Sequence, residues 1–250
     1  IRALPSREVT VHGKQDIPAV FCSTPPHLAS GETVYDDISR IKLDTGLGEK
    51  AKDIVSVGDY VTFSALPTEL SGDLVSGRSF DDRAGVACLI KTAEMLSGKQ
   101  LPCNVAFLLS DAEELGMRGA VTATFGLAPE EAIAVDVSFG DGIGISPDES
   151  GKLKGGAMIG FAPNLDSEIS NKLTNIAKEQ GIKYQTEVMG GRTGTNADVI
   201  GISGKGVKTC TVSIPLRNMH TEVETLSLSD LESVCNLLCA YVLSGGVRNG

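Results

Sequence analysis

From Ser79 onward, apolar runs of strand length alternate with stripes of helical period, and this alternation most constrains how the chain can fold. Arg83 to Leu96 carries Val86, Leu89, Ile90 and Ala93 at the i, i+3, i+4, i+7 spacing of an amphipathic helix, with Gly98 placed to end it. Asn104 to Ser110 (NVAFLLS) and Ile133 to Val137 read as buried strands. Leu165 to Gln180 reads as a second helix, with Ile169, Leu173, Ile176 and Ala177 on one face and Gly181 as its stop. Thr209 to Pro215 is a further strand. Ser229 and Glu232 have capping-box spacing ahead of Leu231, Val234, Leu238 and Val242. The pattern predicts an α/β fold, a three-layer sandwich around a mostly parallel sheet.

The first 77 residues have another texture. REVTVHG, IPAVFCS, SRIKLDTG and DYVTFSAL are short β-rich pieces divided by Pro, Gly and Asp turns, with one helical stretch around Glu49 to Val55. This predicts a small β-barrel or β-sandwich over residues 1–77, joined to an α/β domain over residues 78–250. The 250 residues suffice for either one large core or two modest ones. No apolar stretch of about 20 residues is present, so no helix is expected to span a membrane. A net charge of -10 argues against a nucleic-acid partner, because no basic patch can displace counterions. The six cysteines show no CxxC spacing, and most lie inside apolar runs as buried thiols do. With no signal peptide visible, the expected compartment is the reducing cytoplasm. The chain opens on Ile1, so residues upstream are expected to be missing.

Acidic residues and one histidine stand where apolar runs give way to turns. Asp81 and Asp82 lie in SGRSFDDRAG, Glu113 and Glu114 in SDAEELGMRGA, Asp136 in AIAVDVS, and His220 in SIPLRNMHTEVE. Open α/β sheets bind ligands beyond the carboxyl ends of their strands. Three strand ends thus deliver acidic or imidazole groups to one edge, while Asp81 opens a helix whose dipole favours a carboxylate. Taken singly, each feature also reads as a solvated loop, a helix cap or a structural histidine. Carboxylates gathered together repel unless protons or cations intervene, and divalent metal is an economical solution. Gly190-Gly191-Arg192-Thr193-Gly194-Thr195 could by itself cradle a phosphate, but it lacks the GK[ST] ending of a nucleotide-binding loop.

DDRAG, EELGMRGA, AIAVD, TGTNAD and the RNMH-x-x-VE ending, in this order, resemble the M42 family of metallo-aminopeptidases. That family includes glutamyl aminopeptidases, tetrahedral TET peptidases and proteins once labelled endoglucanase M. The likeness extends to VTVHG, PPH and GDYVTF, which resemble the family's small inserted domain. It implies two divalent ions, zinc or cobalt in preference to magnesium. Asp81 would bridge both ions and Asp82 would orient the site. Asp136 would bind the first ion, while Glu114 and His220 would complete the second. Glu113 would be the general base. The family further implies peptide substrates and a homo-oligomer, from dimers to dodecameric shells, with the small domain controlling assembly and access.

Two departures bear on the mechanism. The family's first-metal histidine lies in a His-x-Asp motif upstream of the inserted domain. This chain has only His12, His27 and His220, of which the first two read as structural or surface residues. Where many relatives carry Asp in the TGT-x-A stretch, this chain has Asn196, which loses the charge. These departures keep open a metal-depleted, non-catalytic homologue acting as a binding or assembly subunit. Related deacylases and carboxypeptidase-like enzymes with paired metals are hydrolase alternatives. A glycosidase needs only two carboxylates and leaves His220 and Asp136 without roles.

Overall fold

Residues 4–23, 25, 27 and 38–247 are described by the computed structural model of the chain. They fall into two compact units, residues 1–67 and 68–250. In the first, β1 (Glu8–His12) and β2 (Asp16–Phe21) alternate: Val9, Val11, Ile17 and Ala19 are buried, while Glu8, Asp16, Pro18 and Val20 face water. The strands pair antiparallel, Val9 opposite Ala19 and Val11 opposite Ile17, which puts all four apolar side chains on one face. With β3 (Leu43–Asp44) and β4 (Tyr60–Phe63) they form an antiparallel sheet ordered β3-β2-β1-β4. Among the described residues this sheet is open, so the expected barrel is corrected. Its β3 edge has two residues, too few to carry a ladder round to β4. Gly48–Asp53 is a 3-10 helix with no buried residue, because GEKAKD has no apolar face to pack.

The second unit begins with β5 (Thr68–Glu69) and β6 (Leu74–Gly77), then α1 (Phe80–Leu96), α2 (Arg118–Leu127), β7 (Glu131–Phe139) and β8 (Ala157–Phe161). There follow α3 (Ser167–Gln180), β9 (Tyr184–Val188), α4 (Ala197–Ile200), β10 (Lys208–Leu216), β11 (Glu224–Ser227) and α5 (Leu228–Leu243). Its main sheet has the order β7-β10-β8-β9. β10 runs parallel to β7 from Lys208 opposite Glu131 to Leu216 opposite Phe139, but antiparallel to β8, which in turn is parallel to β9. The sheet is therefore mixed: two of its three strand pairings are parallel, and only the β10–β8 pairing is antiparallel. A second sheet, ordered β11-β6-β5, is antiparallel.

Burial on both faces explains the apolar runs. Cys210, Val212, Ile214 and Leu216 of β10 pack with Cys88 of α1, Leu173 of α3 and Val234 of α5. Ala132 and Ala134 of β7 have the opposite parity from Ile133 and Val135, and they meet Ile200 and Ala197 of α4. Helices thus cover both faces in three layers. The capping box expected at Ser229 is not formed. α5 starts at Leu228, which leaves Ser229 inside the first turn, and the Asp73 carboxylate accepts from Ser229 N and from Ser227 Oγ. Asn104–Ser110 is not a strand among the described residues either. It has no hydrogen-bonded neighbour strand, and Phe107 and Leu109 are exposed.

Candidate active site

The Asp81-Asp82 and Glu113-Glu114 pairs and His220 sit on bent backbone, whereas Asp136 sits on a regular strand. Ser79, at φ 58°, turns the chain from β6 toward α1. Asp81 and Asp82 have non-helical backbone angles, so the helix proper begins at Arg83, where the Arg83 to Leu96 stripe predicts it; the peptide between the two aspartates is cis. Asp82 Oδ1 accepts from Gly85 N at 2.9 Å. A Cβ at Gly85 would come within 2.3 Å of the Asp82 carboxylate, which accounts for the glycine in DDRAG. Glu113 and Glu114 occupy a turn between Ala112 (φ 53°) and Gly116 (φ 104°). Asp136 lies within β7, its Oδ1 accepting from Val137 N. His220, at φ 62°, lies in the loop from β10 to β11 beside Asn218 at φ 55°.

Three of the six expected site residues come together in a group that could hold a metal ion. His220 Nε2 lies 3.0 Å from Asp81 Oδ2 and 3.7 Å from Glu114 Oε1, and the three donor atoms all fall within 4.8 Å of one another. Asp82, Glu113 and Asp136 stand outside that trio but within its field. Burial, followed by the charge of Asp136, pushes the Asp82 carboxyl up to about 9. Burial likewise carries Asp136 up to about 7, with Asp81, Glu113 and Glu114 adding repulsion against its Val137 hydrogen bond. Asp81 is raised by burial and by Glu114, against the pull of His220, and Glu113 is raised by burial and by Glu114. Carboxyls that raise one another form a site short of positive charge. One imidazole and two carboxylates at this spacing could hold a divalent cation. Asp81 is mostly covered, whereas the Glu114 and His220 side chains are open to solvent.

Two further carboxylates, one buried and one half-buried, went unread in the sequence. Glu224 is 2% exposed and accepts from the backbone of Phe80, Asp81 and His220. The VE of RNMH-x-x-VE marked the position but not the role, because its partners are backbone amides. Glu187 reaches Ser138 and Ser213 from β9. Other readings resolve simply. Asp198 accepts from Thr193 N, Thr193 Oγ1 and Gly194 N, so the glycine-rich loop spends these donors on its own carboxylate rather than on a phosphate. Asn196 Nδ2 donates to Ser110 Oγ, and its buried Oδ1 has no hydrogen-bond partner among the described residues. His12 bridges Asp16 and Thr62 within the small sheet, and His27 is exposed. No helix among the described residues is long and apolar enough to cross a membrane.

The family model of the M42 glutamyl aminopeptidases matches residues 1–237. A lysyl aminopeptidase of Pyrococcus furiosus is 31% identical over 87% of this chain, and the match spans 64% of that relative's length. An aminopeptidase structure from the archaeon Desulfurococcus kamchatkensis superposes with a TM-score of 0.86 at 29% identity, covering 97% of this chain and 70% of the other. The TET1 peptidase of Pyrococcus horikoshii, which can assemble into a tetrahedron or a large octahedral shell, gives 0.80 at 32% identity over 97% and 73%. The chain spans less than two thirds of the curated relative's length, yet nearly all of it lies within the matched region, and it belongs to the M42 glutamyl aminopeptidase family.

Proposed function

We propose that the chain carries the catalytic groups of a metal-dependent aminopeptidase that removes N-terminal residues from peptides. The observation that carries this reading is the convergence of Asp81, Glu114 and His220 from three separate elements, with Glu113 adjacent, in an M42 chain. Asp81, Glu114 and His220 would hold one divalent ion, and Asp136 with a shared Asp81 would hold a second. Bound there, zinc or cobalt supplies Lewis acidity toward the scissile carbonyl and offsets the charge that develops on its oxygen. Glu113 is the proton carrier. Burial and the Glu114 charge raise its proton affinity, the direction that favours a general base. It takes a proton from the attacking water as the water oxygen bonds to the carbonyl carbon. It then delivers that proton to the departing amine nitrogen as the C–N bond breaks. Asp82, held by Gly85 N, orients the Asp81 segment.

The small unit, residues 1–67, is assigned to assembly and access, a reading supported by the shells of the TET relative. A cytoplasmic homo-oligomer completes the proposal. The rival reading, a binding or assembly subunit without turnover, draws on Asp136 standing outside the converging trio and on Asn196. A panel of aminoacyl-nitroanilides separates them: release that stops with chelator and returns with cobalt or zinc is expected. Glu113→Gln should bind the ion as wild type does while losing about 10²–10⁴-fold in kcat. Full turnover in that variant would remove Glu113 from the mechanism, and silence across the panel from the ion-loaded protein would favour the binding subunit.

A further inference from the structure

Asp81 and His220 belong to loops that are 139 residues apart, and something must hold their donor atoms at ligand distance. Pairing brings the loops near each other. Glu224 of β11 lies opposite Gly77 of β6, just upstream of the Asp81 turn. Arg217 and Thr225 exchange both backbone hydrogen bonds and close the loop that contains His220. Neither pairing reaches the ligand residues themselves. The segments that carry them pass through left-handed backbone at Ser79, Asn218 and His220, a conformation that L side chains rarely adopt.

We propose that Glu224 is the positioning residue that sets the separation of Asp81 and His220, and with it the affinity and geometry of the cation site. This rests on the reading of that pair as ligands. Glu224 Oε2 accepts from Phe80 N at 2.6 Å and from Asp81 N at 3.2 Å, while Oε1 accepts from His220 N at 2.8 Å. One rigid, planar group therefore spans the two ligand-bearing backbones and holds the amide of each ligand directly. The side chain is fully buried, so water cannot replace it at these donors. Only a carboxylate suits the position. Three amide N–H groups converge on two oxygens, and a glutamine would turn an NH₂ toward at least one of them. Second-sphere groups that fix ligand orientation typically govern metal affinity by about 10–100-fold. Here that control acts through the main chain rather than through the ligand side chains.

The test uses the whole chain, with Co²⁺ as probe, titrated by calorimetry and followed by its visible absorption. Glu224→Gln is expected to keep the wild-type circular dichroism and a cooperative melt, to bind Co²⁺ about 10–100-fold more weakly, and to give an altered ligand-field spectrum. Glu224→Asp keeps the charge and both acceptors but falls one methylene short. It should show the same two changes, and it carries the test if the Gln variant does not fold. Wild-type affinity and spectrum in a folded variant overturn the proposal. Asp81→Ala and His220→Ala serve as controls for the underlying site. If both bind Co²⁺ like wild type, the ligand assignment has failed. If both lose Co²⁺ while the Glu224 variants retain it, only the positioning role has failed.

Discussion

Asp136 shows at the residue scale how burial makes a carboxylate responsive to a cation. With its affinity for protons pushed up to about 7, it is partly protonated in the metal-free protein near neutrality. A cation that uses this group must displace the proton, so binding becomes tighter as pH rises and releases protons below neutrality. The expected outcome is a cation affinity that climbs between pH 5.5 and about 7 and then flattens, since Asp82 keeps its proton up to about 9. Calorimetry in two buffers of different ionisation heat measures the protons released, and Asp136→Asn should lower that number. An affinity that does not change with pH would take Asp136 out of the site. The side chains proposed for the chemistry were legible in the sequence, because acidic pairs and a histidine at the ends of apolar runs are written in side-chain letters, and three of them, Asp81, Glu114 and His220, come together in the fold. Glu224 was not, since its function is addressed to backbone amides that every sequence possesses.

Among the elements, the long periodic ones were legible and those defined by pairing were not. α3 lies where its stripe predicts, with Asp166 accepting from Glu168 N and Ile169 N at one end and Gly181 left-handed at the other. NVAFLLS has the composition of a strand without a ladder, and RGAVTATFGL forms α2 although Gly and β-branched residues obscure its period. β9 became informative only in three dimensions. Its Glu187 lies opposite Gly160 of β8, and its carboxylate accepts from Ser213 of β10 and Ser138 of β7. Burial raises the Glu187 pKa despite both hydroxyl donors. A carboxyl whose folded value lies above its unfolded value of 4.5 contributes fully to stability below 4.5, and the contribution fades as pH rises through the folded value. Glu187→Gln should therefore flatten the decline in stability above pH 4.5, as read from urea midpoints at several pH values. Parallel curves for the two proteins would show that Glu187 ionises in the fold as freely as in the unfolded chain.

For the whole molecule, the change of texture along the sequence marks two cores of unequal strength. Residues 68–77 read with the β-rich segment in sequence, but β5 and β6 pair with each other and with β11, so they group with the second unit. What remains, residues 1–67, relies on a small core of Val9, Val11, Ile17 and Ala19 backed by Phe21, Leu43, Leu47, Ile54, Val55 and Phe63. Units of this size bury a modest fraction of their surface and have little stability to spare. The second unit has its own extensive core on β10, and every group of the proposed cation site lies within it. Damage to the small core should therefore stay local. Ile17→Ala, in which a 5% exposed side chain is truncated, is expected to cost about 2–5 kcal/mol. That loss should appear as faster amide exchange in β1, β2 and β4. Exchange in β7 and β10, together with Co²⁺ affinity, should stay at wild-type levels. Hydrogen–deuterium exchange with peptide-level readout distinguishes the two units in one experiment. A uniform rise across both, accompanied by weaker cation binding, would mean that the chain unfolds as one cooperative body and that the small unit supports the site directly.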